Sequence, residues 1–453
     1  MTKDMTEGNA LGLILRFALP LLVGNLLQQT YNMIDAAIVG RFLGTQALAG
    51  VGATSSVQFL VLGFCTGLCS GFGVPVARDF GANQFGRMRK DIFHGALLTA
   101  VIAVILTTGC VLLCPWILKM LSVTEDIYGN ARIYILIIFL GLPFTLLYNF
   151  LSSILRAVGD SRTPFLFLAF SACLNVVLDL ICIIVFKWGC AGAAVATITA
   201  QAISGFCCLI FIIKKVQILH PKRKECQLQS VYVKEMLVMG LPMGLQFSIT
   251  AIGSMVMQSA NNGLGSIYVS GFTAGMRIKQ FAMCPFDALA NGVSVFCSQN
   301  LGAGKINRIR KGLWQGVGVG FTYGLLIGLV LIFAGRPLSM LFISADQTAV
   351  LDASAKYLRC LGLFYWSLGP LSVFRMSAQG MGFSGRAIFS GVTEMIARTF
   401  VSFAFVGTYG FTAICFADQT AWVSATLYIT PVCLMCLRQV TREHERQQAK
   451  IAD

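Results

Sequence analysis

Four oxygen-bearing side chains sit inside otherwise apolar runs of this chain: Asp35, Asn175, Asp179 and Thr197. In NVVLD, Asn175 and Asp179 stand four residues apart and so share one face of a helix. In AGAAVATITA, Ala193 and Thr197 repeat that interval among small residues that allow close helix approach. Asp35 lies in the apolar stretch Pro20–Gly44, where Gln28, Tyr31 and Asn32 precede it at helical spacing. Amide, phenol and carboxylate thus stack on one face. A carboxylate in hydrocarbon costs about 2.5–3.5 kcal/mol on insertion scales, so it faces a bundle interior or a watery path. Two such carboxylates in one pocket repel, and a sodium ion or a shared proton relieves the repulsion. The competing readings are a helix-end cap for Asp35, since Gly40, Arg41 and Gly44 follow, and interhelical polar glue for NVVLD. Pro20 removes a helix hydrogen bond and gives the first stretch a place to bend.

The second half of the chain offers Glu394 and Arg398, four apart in GVTEMIARTF. They read either as a self-neutralising helix pair or as a substrate-facing carboxylate held by its arginine. Asp287 follows Arg277 and Lys279, which read as membrane-surface residues and are left outside the candidate site. Twelve of the seventeen methionines follow residue 230, Met257 among them. Flexible thioethers suit a surface that accepts many shapes, although they also fill ordinary cores. Gln28, Met257, Glu394 and Arg398 are the expected lining of an organic-substrate cavity.

The elements that must carry these residues follow from composition. With 453 residues, 56% hydrophobic and only 12% charged, the chain departs from soluble domains, which carry roughly 25% charged residues. Apolar runs of spanning length predict twelve helices, near 13–40, 47–76, 93–116, 130–152, 163–186, 190–213, 236–262, 268–298, 313–335, 354–376, 386–408 and 411–437. The net charge of +15 gathers in alternate connections, such as 214–234 and the tail from 438. That pattern is topology information and not a nucleic-acid patch, and it puts both termini in the cytoplasm. No cleavable signal is visible in the short polar N-terminus, so the first helix is expected to stay. The sixteen cysteines lie mostly in apolar runs, where Cys acts as a small hydrophobe, and Cys433-Leu-Met-Cys436 lacks the partners zinc needs. No Walker motif and no nucleophile–base set is present, so neither direct ATP drive nor an enzyme is expected.

The chain repeats internally. FGANQFGRMRK (Phe80–Lys90) returns as LGAGKINRIRK (Leu301–Lys311), and LRAVGDS (Leu155–Ser161) as AQGMGFS (Ala378–Ser384), at offsets of 221 and 223. Six spans per half make two lobes, 1–213 and 235–437, joined by the basic linker 214–234 and followed by a tail, 438–453. The halves should be related by an axis along the membrane normal, with a central cleft. Their chemistry diverges: Met257 stands where the first half has Asp35, and Arg398 where it has Asn175.

The chain resembles the multidrug and toxic compound extrusion (MATE) transporters over nearly its whole length. The resemblance rests on YNMIDAAIVGRFLG, on FGANQFGRMRK and its repeat, on LRAVGDSRTP, on NVVLD, and on QGMG followed by Glu394 and Arg398. It implies an all-α protein of two six-helix bundles and an antiporter of amphipathic, often cationic organic compounds against Na⁺ or H⁺. Asp35 resembles the family's essential carboxylate. Asn175, Asp179 and Thr197 match its N-lobe cation site, with Tyr31 and Asn149 as network neighbours and Pro20 at the family's bend. The seventh span, MQSANN, has no acidic residue, unlike one sodium-driven branch of the family. A monomer without a cofactor beyond the ion is expected, in a prokaryotic plasma membrane. The alternatives are a lipid-linked saccharide flippase of the same superfamily and a non-transporting receptor or scaffold. The flippase would want several basic cavity residues, and Arg398 reads as the only deep arginine.

Overall fold

The computed structural model describes residues 3–121 and 123–452, and every regular element among them is helical. In chain order these are α1 (Ala10–Leu43), α2 (Thr45–Gly81), α3 (Phe85–Met120), α4 (Glu125–Leu140), α5 (Leu142–Ala157), α6 (Arg162–Leu180) and α7 (Cys190–Lys215). The second half repeats the series as α8 (Ser230–Asn262), α9 (Ser266–Gly302), α10 (Ile306–Ser339), α11 (Thr348–Phe364), α12 (Leu368–Gly380), α13 (Ser384–Ala404), the single turn α14 (Val406–Tyr409) and α15 (Phe411–Ala452).

Ten of these helices are long and apolar enough to cross a membrane singly. The expected fourth span is a bent pair, α4 and α5, which meet at 45° around Gly141. The expected tenth is α11 and α12, joined by a 3₁₀ turn at Tyr365–Ser367. It is less apolar than the others, but it stands 223 residues after α4–α5 and takes the same place in the repeat. Twelve spans in two like halves result.

The chain forms two compact units. The first holds Met1–Asp4 and Val23–Gly244, the second Met5–Leu22 and Leu245–Asp453. The sequence reading put the lobes at 1–213 and 235–437; by packing, the division instead falls inside α1 and α8. Each of these helices contains a proline, Pro20 and Pro242, two residues before the crossover. A proline mid-helix forfeits one hydrogen bond, so a change of direction there costs little more. In the first unit, α2 receives the opening turns of α8 at Gly71, where a Cβ would stand 2.6 Å from the Cα of Gly240. In the second unit Gly292 of α9 meets Ile14 of α1 in the corresponding way.

Each unit has its own apolar core. Leu68, Phe72, Phe139, Leu146 and Phe150 anchor the first. Phe272, Phe286, Phe296, Tyr357 and Trp422 anchor the second. The segment expected as a linker is ordered by short 3₁₀ turns at Gln217–Leu219 and Arg223–Glu225. Arg89 of α3 donates to Glu225 from Nε and Nη2, each at 2.7 Å. This bidentate pair holds the Glu225 carboxyl down at about 2.

Candidate cation site

Three helices of the first unit converge on the polar residues of the sequence reading. Asp35 comes from α1, Asn175 and Asp179 from α6, and Thr197 from α7. Asp35 and Asp179 meet carboxyl to carboxyl within hydrogen-bonding reach. Asp179 is wholly buried and Asn175 nearly so. Asn175 Nδ2 donates to Thr197 Oγ1 at 3.3 Å, and that hydroxyl donates to the carbonyl of Ala193 at 3.0 Å. The orienting chain is therefore complete on one side. On the other, Asp35 Oδ1, both Asp179 oxygens and Asn175 Oδ1 are buried without a donor. Buried acceptors with nothing to accept are costly, and oxygens gathered without donors are what a hard cation or an added proton satisfies. The residues fit Na⁺ or H⁺ equally in donor chemistry.

The backbone contributes to the placement. Asp179 lies in the last turn of α6, and a π-helical turn, Ile181–Val185, follows at once. Such turns recur at functional sites because the extra residue re-aims the side chains around it.

The sequence reading gathered most of this site, Tyr31 included, and missed Tyr134. Tyr31 is beside the pair and hydrogen-bonded to Gln28. Tyr134 of α4 is buried beside the same carboxyls, with its hydroxyl on Gln58 of α2. A lone phenol in the apolar run IYILIIFL was the available signal. Asn149, expected as a network neighbour, donates to the carbonyl of Thr145 one turn back on its own helix. Pro20 belongs to the segment packed in the second unit.

The second unit has a different centre. Lys279 Nζ reaches Asp418 Oδ2 at 2.6 Å, Arg398 Nε reaches Asp418 Oδ1 at 2.9 Å, and the Tyr357 hydroxyl donates to Oδ2 at 2.9 Å. Glu394 bridges Arg398, at 3.3 Å, and Arg375, whose Nε also donates to Ser390 at 2.9 Å. Lys279 further lies over the Trp422 ring, 5.8 Å from its centroid. Three expectations change here. Lys279, read as a surface residue, is buried. Arg398 is accompanied at depth by Arg375. Glu394 and Met257, placed on the wall of a substrate cavity, are both buried, Glu394 between two arginines and Met257 in the apolar core. Asp418, unnoticed in ICFADQT, is the hub of the network.

The fold is that of a polytopic membrane protein built from two repeated six-span halves. A sequence model of the MatE family matches the chain twice, over residues 20–181 and 242–403, a displacement of 222. The chain belongs to the MatE family. The probable multidrug resistance protein YpnP of Bacillus subtilis is 30% identical to it, over 91% of this chain and 89% of that protein. The probable multidrug resistance protein YoeA of the same bacterium is 25% identical, over 84% and 83%. Among solved structures, an outward-facing multidrug resistance MATE family transporter of the MOP superfamily superposes with a TM-score of 0.90. It is 19% identical and covers 96% of this chain and 98% of its own.

Proposed function

We propose that the protein is a secondary antiporter that exports amphipathic, often cationic organic compounds in exchange for Na⁺ or H⁺, bound at the Asp35–Asp179 pair. The observation that carries this reading is the group of buried, donorless oxygens on Asp35, Asn175 and Asp179. An ion that satisfies them stabilises the arrangement in which α1, α6 and α7 come together. Loss of the ion leaves the two carboxyls repelling and favours an arrangement that separates Asp35 from Asp179. Coupling requires the ion to prefer one of the two arrangements, because equal affinity shifts no equilibrium. The names of YpnP and YoeA support drug-like substrates. The basic connections support a plasma-membrane protein with both termini in the cytoplasm, and the protein acts as a monomer.

A flippase of lipid-linked saccharides is the second reading, because the second unit holds Lys279, Arg375 and Arg398 at depth. Their pairing with Asp418 and Glu394 weighs against it, since these cations are already engaged inside the unit.

The test is uptake of a fluorescent organic cation into proteoliposomes under a sodium gradient or a pH gradient imposed separately. Flux that follows one gradient and vanishes in Asp35→Asn, with the variant still folded, is expected. Undiminished flux in that variant sinks the proposal. Flux under neither gradient moves the weight to lipid scrambling.

A further inference from the structure

A second carboxyl pair lies in the first unit, away from Asp35 and Asp179. Asp79, near the end of α2, and Asp91, in the second turn of α3, are within hydrogen-bonding reach of each other. Asp91 is fully buried, and neither of its oxygens has a donor. The groups around the pair come from three helices. Arg78 of α2 contacts Asp79 Oδ1 at 3.3 Å and Glu235 Oε1 at 2.6 Å. Arg87 of α3 contacts Asp79 Oδ2 at 3.1 Å and Glu235 Oε2 at 3.2 Å. Glu235 belongs to the opening turns of α8. One turn beyond Asp91, His94 accepts from the backbone N–H of Gln229 at 2.9 Å, just ahead of α8, and makes its other ring contact to the Lys90 carbonyl.

The charges decide what this cluster can do. Two arginines balance Asp79 and Glu235, forming a closed square, and Asp91 is left over. A buried carboxylate beside Asp79 with no cation of its own is strongly disfavoured, whereas a carboxylic acid there donates a hydrogen bond to Asp79 and costs little. A metal ion is poorly suited, because both guanidiniums already occupy the cationic positions.

The repeat shows that the charge is not needed merely to hold a helix. In the second unit Asn300 stands at the place of Asp79, and Gly312 at that of Asp91, each 221 residues on. There the grip is on the segment leading into α1. Gln299 Oε1 accepts from the Met5 N–H at 2.9 Å, Asn300 Nδ2 donates to the Met5 carbonyl at 3.1 Å, and Arg308 Nε donates to Asn300 Oδ1 at 2.9 Å. Amides and an arginine do that work. The same corner of the first unit is built from carboxyls.

We propose that Asp79 and Asp91 together bind one proton, and that this second proton site sets how tightly the first unit holds the opening turns of α8. With the proton present, Arg78 and Arg87 stay on Glu235. When it leaves, the new negative charge on Asp91 draws both arginines away, and the start of α8 loosens.

The test uses the purified full-length protein carrying Asp35→Asn and Asp179→Asn, so that the other pair is silent. Infrared difference spectra against the same protein with Asp91→Asn should contain one protonated-carboxyl C=O stretch that the substitution removes. Hydrogen–deuterium exchange over residues 230–240, corrected for its intrinsic pH dependence, should rise about tenfold in the parent as pH is raised through loss of that band. In Asp91→Asn, whose amide still donates to Asp79, it should stay protected throughout. Asp79→Asn serves as a second variant: it leaves Asp91 to ionise between the arginines, so the band should vanish there as well. A band unchanged by Asp91→Asn, or exchange over 230–240 with the same pH profile in parent and variant, overturns the proposal.

Discussion

Arg398 and Asp418 form an ion pair at 2.9 Å in the second unit, at the two places of the repeat that Asn175 and Thr197 hold in the first. The register is fixed by Gly189 and Gly410, which open α7 and α15 in nearly the same backbone conformation, φ 60°, ψ −140° and φ 55°, ψ −134°. Both have positive φ with strongly negative ψ, a region open essentially to glycine alone. Counting on from them aligns Thr197 with Asp418. One half therefore carries its cations covalently, as Arg398 and Lys279, and the other leaves donorless oxygens on Asp35, Asn175 and Asp179. The two corners are alike in geometry and opposite in what they still need.

That contrast predicts unequal costs in the second unit. Asp418→Asn takes the carboxylate from Lys279 and leaves Arg398 with Glu394 alone, and breaking a buried pair in this way costs about 3–5 kcal/mol. Arg398→Gln leaves Asp418 with Lys279, and Glu394 with Arg375, so it should cost clearly less. Thermal unfolding of the two purified variants tests the order; equal or reversed shifts would remove Asp418 from the hub.

Tyr134→Phe should preserve the fold and alter coupling. The phenol is held by Gln58 beside the two carboxyls, so its loss changes the polarity of the pair without creating a cavity. The measurement is the ion-concentration dependence of substrate flux. A displaced midpoint at normal expression is expected, and an unchanged midpoint would make Tyr134 a bystander.

Gly71→Val should destabilise the first unit by about 1–3 kcal/mol, the usual cost of overpacking. Its Cβ would fall 2.6 Å from the Gly240 Cα, which cannot yield without moving α8. Gly52→Val, with nothing within 4 Å of its added Cβ, is the control. Similar melting temperatures for the two variants would contradict the close approach of α2 and α8.

The Arg89–Glu225 pair predicts an acid-sensitive connection. The Glu225 carboxyl titrates at about 2 in the folded chain, against roughly 4.3 for a free glutamate. A depressed carboxyl contributes stability that is fully present above the free value and is lost as pH falls through the folded one. Protection of residues 217–229 from exchange or proteolysis should therefore decline from about pH 4 towards pH 2. In Glu225→Gln it should be weaker and flat across that window. A wild-type profile in the variant would exclude the pair.

The candidate site of the first unit was legible because each of its residues is a polar interruption of an apolar run, and helical spacing alone puts Asn175 and Asp179 on one face. The centre of the second unit was not. Lys279 and Asp418 are 139 residues apart in sequence, and each alone resembles a residue at the end of a span. Only folding brings them together, and charges that look prohibitive singly become tolerable as a network. Hydropathy accounts for eleven of the twelve spans and the internal repeat for the last, α11–α12, but the break at Gly141 was not legible, since the sequence there stays apolar across the bend. Packing also moved a boundary that composition could not locate. The basic linker looks like the joint, whereas the units exchange chain at Pro20 and Pro242.

The exchange has a consequence for how the protein is made. A cut anywhere in 214–229, where the charge pattern invites one, yields no fragment that owns a complete unit. The first fragment would carry Met5–Leu22, which packs into the second unit, and would lack the opening of α8 that lines its own. The second fragment would have the converse deficit. Each half is the other's missing piece, as in a domain-swapped dimer whose two protomers have been fused into one chain. Until α8 has been synthesised, Gly71 of α2 has no Gly240 to pack against. The earlier half must wait for the later one before either is finished.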